Sequence, residues 1–193
     1  LICLHASAVQ IGEHVIALLG DSGVGKSSLA ASLVALGFPL VTDDILPLEI
    51  VDDSCLAQPG FAQIKLSDVI VRQLGLPESY VADLGKHVQI VDEDWGSFAS
   101  GPAPLLAVYI LHRARCETSC ATIEDLAPSD RFVELLRDSF CQGPGIDRLA
   151  TLTKCPVKLL PADRVFDAGT FITEVSAAPR QPTLQVDKNV TVW

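Results

Sequence analysis

The sequence predicts an α/β domain with a mixed sheet flanked by helices, built around a glycine-rich loop. The first observation is a strand-like apolar run, VIALL at residues 15–19, followed at once by residues 20–27, which read G-x-x-x-x-G-K-S. The second is the segment after this loop, whose leucines are spaced as on one apolar stripe of a helix. The third is a later strand-like segment, LVTDD, that ends in two carboxylates. Strand, glycine-rich loop and helix in this order are the context that the loop motif requires.

The composition describes an ordinary globular chain and argues against two kinds of partner. The 193 residues are 49% hydrophobic and 20% charged, which suits one domain with a sizeable core. The net charge is −10, with 14 Lys and Arg against 24 Asp and Glu, so we expect no nucleic-acid partner. No apolar run reaches the roughly 18 residues of a membrane span, so we expect no membrane partner. Six scattered cysteines without a C-x-x-C pair predict reduced thiols and a cytoplasmic location.

The remaining elements follow from hydrophobic periodicity and turn signals. We predict a catalytic domain over residues 1–175 and an extended tail over 176–193. Residues 39–51 are predicted to form two strands separated by the acidic pair. The other predicted elements are a hairpin over 1–19, a helix over 67–75 capped by Ser67, strands over 87–91, 105–111 and 156–160, and helices over 129–140, 145–153 and 163–175.

The glycine-rich loop predicts a nucleotide site that uses ATP and Mg²⁺. Glycines let the backbone wrap so that successive N–H groups bind phosphate oxygens, and the following helix adds its positive N-terminal end. Lys26 would reach the β- and γ-phosphates, and Ser27 would place its hydroxyl on Mg²⁺. The alternative is a glycine turn with a solvent-exposed lysine. The predicted nucleotide-binding residues are Gly20, Asp21, Ser22, Gly23, Val24, Gly25, Lys26, Ser27 and Ser28.

Two adjacent acids, Asp43 and Asp44, follow an apolar strand about 17 residues after Lys26. In phosphate-loop proteins such a strand lies beside the loop and its acid holds magnesium, so Ser27, Asp43 and Asp44 are the candidate metal ligands. A second acid allows general-base catalysis on an attacking hydroxyl. Side chains of adjacent strand residues point apart, so the two are expected to have different roles, and the sequence leaves open which has which. The alternative is a solvated strand end.

His5 is a further candidate because it lies on the strand that precedes the loop. Near a phosphate site with two aspartates, a histidine can orient one carboxylate or tune its pKa. Without such neighbours, a histidine in this position is more often structural.

These pieces occur together in one known arrangement. The segment that begins LHASAVQIGEHVIALLGDSGVGKSS and ends in LVTDDILPLE resembles the catalytic core of the HPr kinase/phosphorylase family. The resemblance implies that the fold is of the HPr kinase C-terminal-domain type. It also implies that the catalytic residues are His5, Lys26, Asp43 and Asp44. A homo-oligomer is a further assembly that the resemblance allows. HPr kinases have Glu where this chain has Ser28, and their downstream Ile-Arg-Asn run is not found here.

A second group looks closer: the short HPr-kinase-like proteins encoded in lasso-peptide gene clusters. The shared segments are HASAV, the loop, the DD pair, QPGFAQIKL, PLLAVYIL and PVKLLPADR. The resemblance implies ATP-dependent phosphorylation of a serine hydroxyl on a precursor peptide. The same resemblance places basic residues at Lys65 and Lys86, which are our candidate substrate-site cations. The other candidate cations are Arg113, Arg115 and Arg164.

Three alternative functions remain open from the sequence. One is an HPr-type protein serine kinase/phosphorylase, against which the missing downstream run counts. Another is a nucleotide-binding regulatory module without strong catalysis, against which the intact lysine, serine and acidic pair count. The third is a small-molecule kinase.

Overall fold

A mixed seven-stranded sheet organises the chain and confirms the predicted α/β class. The computed structural model describes residues 1–52, 54–76, 80–82, 86–112, 123–140, 145–161 and 168–177. Within these ranges the strands are β1 (Ile2–Ile11), β2 (His14–Leu19), β3 (Leu40–Val51), β4 (Ser54–Ala57), β5 (Gln63–Leu66), β6 (Tyr80–Ala82), β7 (Lys86–Ile90), β8 (Ala103–His112), β9 (Glu124–Asp125) and β10 (Val157–Pro161). The helices are α1 (Lys26–Ala35), α2 (Asp68–Gln73), α3 (Pro128–Arg137), α4 (Gly145–Leu152) and α5 (Ala168–Ala177).

The large sheet has the strand order β2-β1-β3-β4-β8-β10-β9, and β2 also pairs with β8. The β2–β8 and β8–β10 pairs are parallel and the others are antiparallel, which makes the sheet mixed. A second sheet of order β5-β7-β6 lies beside it. Two apolar clusters divide the core: one holds residues of α3 and α4, and the other holds residues of α1 and α5. The sheet is therefore covered by helices from both clusters, and the loop after β2 emerges between β1 and β8.

Most predicted elements are confirmed, with small shifts of their bounds. The hairpin is β1–β2, the loop helix is α1, and Gly37 follows α1 with a φ of 94°, as expected for a helix-ending glycine. Ser67 does precede α2 at the N-cap position, although its side chain makes no capping hydrogen bond. The last helix, α5, runs to Ala177, and residues 178–193 of the predicted tail lie outside the described residues. No helix in the described ranges has the length and apolarity to cross a membrane.

Two predicted boundaries are wrong, and both differences matter for the site. The predicted break at the acidic pair is absent: β3 is one 12-residue strand, because the pairing with β1 continues on both sides of Asp44 although that residue takes a φ of 102°. The predicted helix over 129–140 ends at Arg137. The backbone beyond it joins β1 instead, since Ser139 forms a bridge with Leu4 and Phe140 N–H donates to the Cys3 carbonyl at 2.9 Å.

The close approach of the loop to β8 leaves no room for a side chain at residue 20. Gly20 has a φ of 129°, and a Cβ built there would lie 2.4 Å from the Leu111 carbonyl oxygen. Gly12, in the β1–β2 turn, has a φ of 61° and open space around a built Cβ.

We therefore expect Gly20→Ala to cost about 2–4 kcal/mol of the free energy of unfolding, because strain and a backbone clash combine. Gly12→Ala is the matched control and should cost about 1–2 kcal/mol, because only its positive φ opposes a side chain. Urea unfolding of both variants measures the difference. Equal losses would contradict the predicted contact with β8.

Candidate active site

A cavity of about 220 Å³ opens where the loop faces β1 and β3. It brings together candidate residues that lie far apart in the sequence. The residues that line it are His5, Ser7, Ser22, Gly23, Gly25, Lys26, Ser27, Ser28, Asp43, Asp44, Lys65, Ser67 and Lys86. All four candidate catalytic residues and both candidate substrate-site lysines are in this set. Arg113, Arg115 and Arg164 lie outside the described residues.

The loop adopts a conformation that depends on its glycines. Gly20, Gly23 and Gly25 have φ values of 129°, 80° and 115°, a backbone region that side-chain-bearing residues rarely adopt. A Cβ at Gly23 or Gly25 would meet no atom within 4 Å, and both glycines line the cavity. Helix α1 begins at Lys26 directly after Gly25. An open concave turn at a helix N-terminus is suited to an anion.

Lys26 is folded back along the loop. Its ammonium donates to the Gly20 carbonyl at 2.6 Å and to the Asp21 carbonyl at 3.3 Å, and the residue is only 7% exposed. Burial lowers the pKa of Lys26, while the carboxylates of Asp138 and Asp43 oppose that shift. The lysine is thus held at the mouth of the loop by two carbonyls.

Asp43 is the most highly connected side chain of the site. One of its oxygens, Oδ1, accepts hydrogen bonds from the Ser7 hydroxyl at 2.6 Å and the Ser27 hydroxyl at 2.8 Å. The other oxygen accepts the backbone N–H of Lys65 at 2.9 Å. The carboxylate therefore joins β1, the start of α1 and β5 to β3.

Asp44 has different partners at the outer part of the same cavity. Its Oδ1 lies 3.4 Å from His5 Nε2, and its Oδ2 lies 2.9 Å from Lys65 Nζ. The hydrogen bond from Lys65 is the main reason that the pKa of Asp44 is lowered, with a smaller contribution from His5 and a smaller one still from Lys86. The Asp44 side chain is 45% exposed, so this carboxylate is open to solvent.

The expectation that the two aspartate side chains point apart is wrong, although their partners do differ. Strand alternation would place Asp44 beside its pairing partner Ala6, which is fully buried in the apolar core. An unpaired carboxylate in that layer would be costly. The φ of 102° at Asp44 turns the side chain back into the cavity, so both carboxylates face the loop.

Three residues of the site region were not singled out from the sequence. Ser7 lies two residues after His5 on β1 and opposite Asp43, so strand alternation was a signal that could have found it. Arg137 pairs with Asp21 of the loop. Asp138 is a partly buried carboxyl. Burial raises its pKa, although the positive charges of Lys26 and Arg137 act in the opposite direction. Helical patterning carries no signal that the end of α3 meets the loop.

The residues at the loop fit ATP with Mg²⁺. The described residues contain no group of three or more His, Cys, Asp or Glu side chains that could hold a metal by themselves. Mg²⁺ commonly keeps its waters and uses few protein ligands together with nucleotide phosphates. The Ser27 hydroxyl and the Asp43 carboxylate, 2.8 Å apart at the N-terminus of α1, offer oxygen atoms of the kind that such an ion binds beside a nucleotide.

The fold and the cavity define a mixed α/β protein in which a G-x-x-x-x-G-K-S loop and an acidic pair face one cavity. No protein-family model matches the chain. It is 38% identical over 55 residues to an HPr kinase/phosphorylase of Lachnoclostridium phytofermentans, which covers 28% of this chain and 18% of that protein. It is 35% identical over 75 residues to an HPr kinase/phosphorylase of Treponema pallidum, which covers 39% of this chain and 24% of that protein. The chain thus matches only a quarter or less of these relatives' length.

A solved structure shows the same fold over nearly the whole chain. The Hpr(Ser) kinase/phosphatase from Coxiella burnetii superposes with a TM-score of 0.53 and 13% sequence identity, covering 90% of this chain and 91% of that one. The predicted mixed α/β fold of the HPr kinase type is therefore confirmed. Together with the short stretches of sequence similarity, this makes the chain HPr-kinase-like.

The contacts of Asp44 predict how its titration depends on Lys65. Because its pKa is lower in the folded state, the ion pair stabilises the fold above the ordinary aspartate pKa and is lost as the pH falls through the lowered value. Lys65→Met removes the main cause, so the pKa of Asp44 should rise towards its ordinary value. A carboxyl ¹³C NMR titration measures this, with Asp44→Asn identifying the resonance.

Lys86→Met is the matched control for that titration. It removes a lysine that also lines the cavity but contributes least to lowering the pKa of Asp44. We expect a smaller rise than in Lys65→Met. Equal rises in the two variants would contradict the direct bond to Lys65.

Proposed function

We propose that this chain is a cytoplasmic kinase that transfers the γ-phosphate of ATP to a serine hydroxyl of a peptide or small protein. The observation that carries the proposal is the bond between Ser27 and Asp43 beside the loop, with Asp44 in the same cavity. A module that only binds nucleotide needs the loop and the metal-side acid. The second carboxylate, held separately and open to solvent, supplies the group that accepts a proton.

The contacts of the two aspartates support a division of labour that the sequence left open. Asp43 accepts three hydrogen bonds and touches Ser27, which suits a metal-side ligand. Asp44 is more open and lies between His5 and Lys65, which suits the general base. In the step we propose, the serine oxygen bonds to the γ-phosphorus as the bond to the β,γ-bridging oxygen breaks. The serine proton passes to Asp44, and ADP leaves.

Lys65 has a place in the same step. Its ammonium lies 2.9 Å from Asp44 and its backbone N–H bonds Asp43, so β5 is held at both carboxylates. Movement of the ammonium onto the γ-phosphate would leave Asp44 free to take the proton and would oppose the charge developing on the phosphoryl group. When bound, Mg²⁺ supplies neutralisation of the phosphate charge.

Apolar side chains at the edge of the cavity favour a polypeptide acceptor over a small molecule. Ile45 pairs directly with His5 across β1 and β3, so both lie on the cavity side of the sheet, and Ile45 is 46% exposed. The ring of Phe140 packs edge-on against His5 with centroids 6.4 Å apart and is 57% exposed. Exposed apolar side chains around a polar cleft are typical of a surface that receives a chain segment.

Two candidate phosphate acceptors should be tested, in the following order. The first candidate is a serine near the C-terminus of a lasso-peptide precursor, because the sequence resembles the kinases encoded in lasso-peptide gene clusters. HPr is the second, because the relatives that share the loop segment are named for it.

The decisive experiment is mass spectrometry of each acceptor after incubation with the protein, Mg²⁺ and ATP. We expect the gain of one phosphate group on a serine, and its loss in Lys26→Ala, because the lysine no longer binds the β- and γ-phosphates. Asp44→Asn should lower kcat by about 10²-fold or more with little change in ATP affinity, since it removes the proposed base. Asp43→Asn should weaken Mg²⁺·ATP binding as well.

The outcomes of that experiment separate the proposed functions. Phosphorylation of HPr alone would replace the peptide kinase by the HPr-type kinase. Tight ATP binding with neither acceptor modified would favour the binding module. Full turnover in Asp44→Asn would exclude Asp44 as the base.

A peptide acceptor also predicts an effect of the apolar edge. Ile45→Ser and Phe140→Ser should each raise KM for the peptide by about three- to tenfold, because each loses roughly 1 kcal/mol of apolar contact. The KM for ATP should stay unchanged. Leu36→Ser is the matched control: Leu36 is 56% exposed but lies at the far end of α1 from the loop. Equal effects of all three substitutions on peptide KM would contradict docking at this edge.

A further inference from the structure

The end of helix α3 places an arginine against the phosphate loop. The Arg137 guanidinium pairs with the carboxylate of Asp21, the residue that follows the first loop glycine. The backbone directly after it is fixed, because the His5 N–H donates to the Asp138 carbonyl at 2.7 Å and the Phe140 N–H donates to the Cys3 carbonyl at 2.9 Å. The backbone of Arg137 is therefore held in position. Its side chain as a whole is 59% exposed to solvent.

This ion pair is too exposed to serve as a strong structural link. The Asp21 side chain is 73% exposed, and pairs between solvated groups contribute at most about 1 kcal/mol. Two further carboxylates interact with the guanidinium: Glu134 lies 4.0 Å away, and the charge of Arg137 also acts on Asp138. An arginine held by such contacts exchanges them readily for a stronger anion. A phosphate group is one, because the planar guanidinium can donate two parallel hydrogen bonds to it.

The charge balance at the loop calls for such a cation. Lys26 experiences the negative charges of Asp138, Asp43 and Asp21, so a triphosphate would enter a site that already holds carboxylates. Lys65 already has a carboxylate partner, because its ammonium lies 2.9 Å from Asp44. Arg137 reaches the loop from the end of α3 through its contact with the Asp21 carboxylate.

We propose that Arg137 is a nucleotide-binding residue that leaves Asp21 for the phosphate oxygens when ATP binds. In the free protein, Asp21 holds the guanidinium at the loop and competes with phosphate for it. The proposal rests on the proposed function only in that ATP binds at residues 20–27. Its rival is a structural role, in which the ion pair simply ties α3 to the loop.

Two substitutions, made singly and together, distinguish the roles. If Arg137 binds phosphate, Arg137→Ala weakens binding of Mg²⁺·ATP about tenfold, the loss expected for a hydrogen bond between charged groups. Asp21→Asn then tightens binding, because it removes the competitor and leaves the arginine. In the Asp21→Asn background, Arg137→Ala should still weaken binding about tenfold if Arg137 binds phosphate. If the ion pair has only a structural role, Arg137→Ala changes binding no further in that background, because the contact is already lost.

The experiment is isothermal titration of ATP with Mg²⁺ into the full chain and its variants. Arg137→Lys should retain part of the affinity, and it stands in for Arg137→Ala if that variant does not fold. Arg72→Ala is the matched control, because Arg72 is also an exposed arginine in the last turn of a helix paired with an aspartate, Asp68, and should bind ATP like the wild type. Thermal melting without ATP shows that each variant is folded.

The inference is overturned if Arg137→Ala binds ATP within about twofold of the wild type, or if Asp21→Asn weakens binding as much as Arg137→Ala does. Failure of the proposed function has a different signature. In that case the wild type itself does not bind ATP, or Lys26→Ala binds it unchanged.

Discussion

The carboxylate of Asp43 is the interaction on which the site depends. Its three hydrogen bonds come from β1, from the first turn of α1 and from the backbone of β5, so one side chain joins four separate elements. Without a carboxylate there, the Ser7 hydroxyl, which is almost fully buried, would lose its partner, and such a loss costs about 1–3 kcal/mol. The same contacts place Ser27 and Lys65 at the cavity.

The unusual backbone of Asp44 follows from that arrangement. Since Asp43 faces the cavity, the next residue of a regular strand faces the core, where Ala6 lies. A positive φ costs about 1–3 kcal/mol, and it persists here because the turned side chain gains Lys65 and His5 as partners. Strain of this kind is characteristic of functional sites. It gives the cavity two carboxylates with different partners from adjacent residues of one strand.

The parts of the molecule that the sequence predicts well are those whose signal is local. The loop with its flanking strand and helix, the β1–β2 hairpin and the late strand β8 were all predicted, because each is specified by a continuous segment with clear periodicity or glycine spacing. The resemblance to a known family strengthened the case for His5 and added the two lysines, and the structure brings all three to one cavity. Alternation alone would have turned Asp44 the wrong way.

The parts that could not be predicted depend on contacts between distant segments. Arg137 and Asp21 are 116 residues apart in the sequence. β2 pairs only with the second half of β1, and the residues after α3 lie beside the first half. No pattern in the sequence of α3 indicates this placement. This placement matters electrostatically. A chain with a net charge of −10 repels a triphosphate overall, so binding requires a local excess of cations. Lys26 comes from the loop, Lys65 comes from β5, and Arg137 is a third basic residue that comes from α3. The proposed nucleotide site is compatible with the net negative charge because the fold collects basic residues from separate elements around one loop.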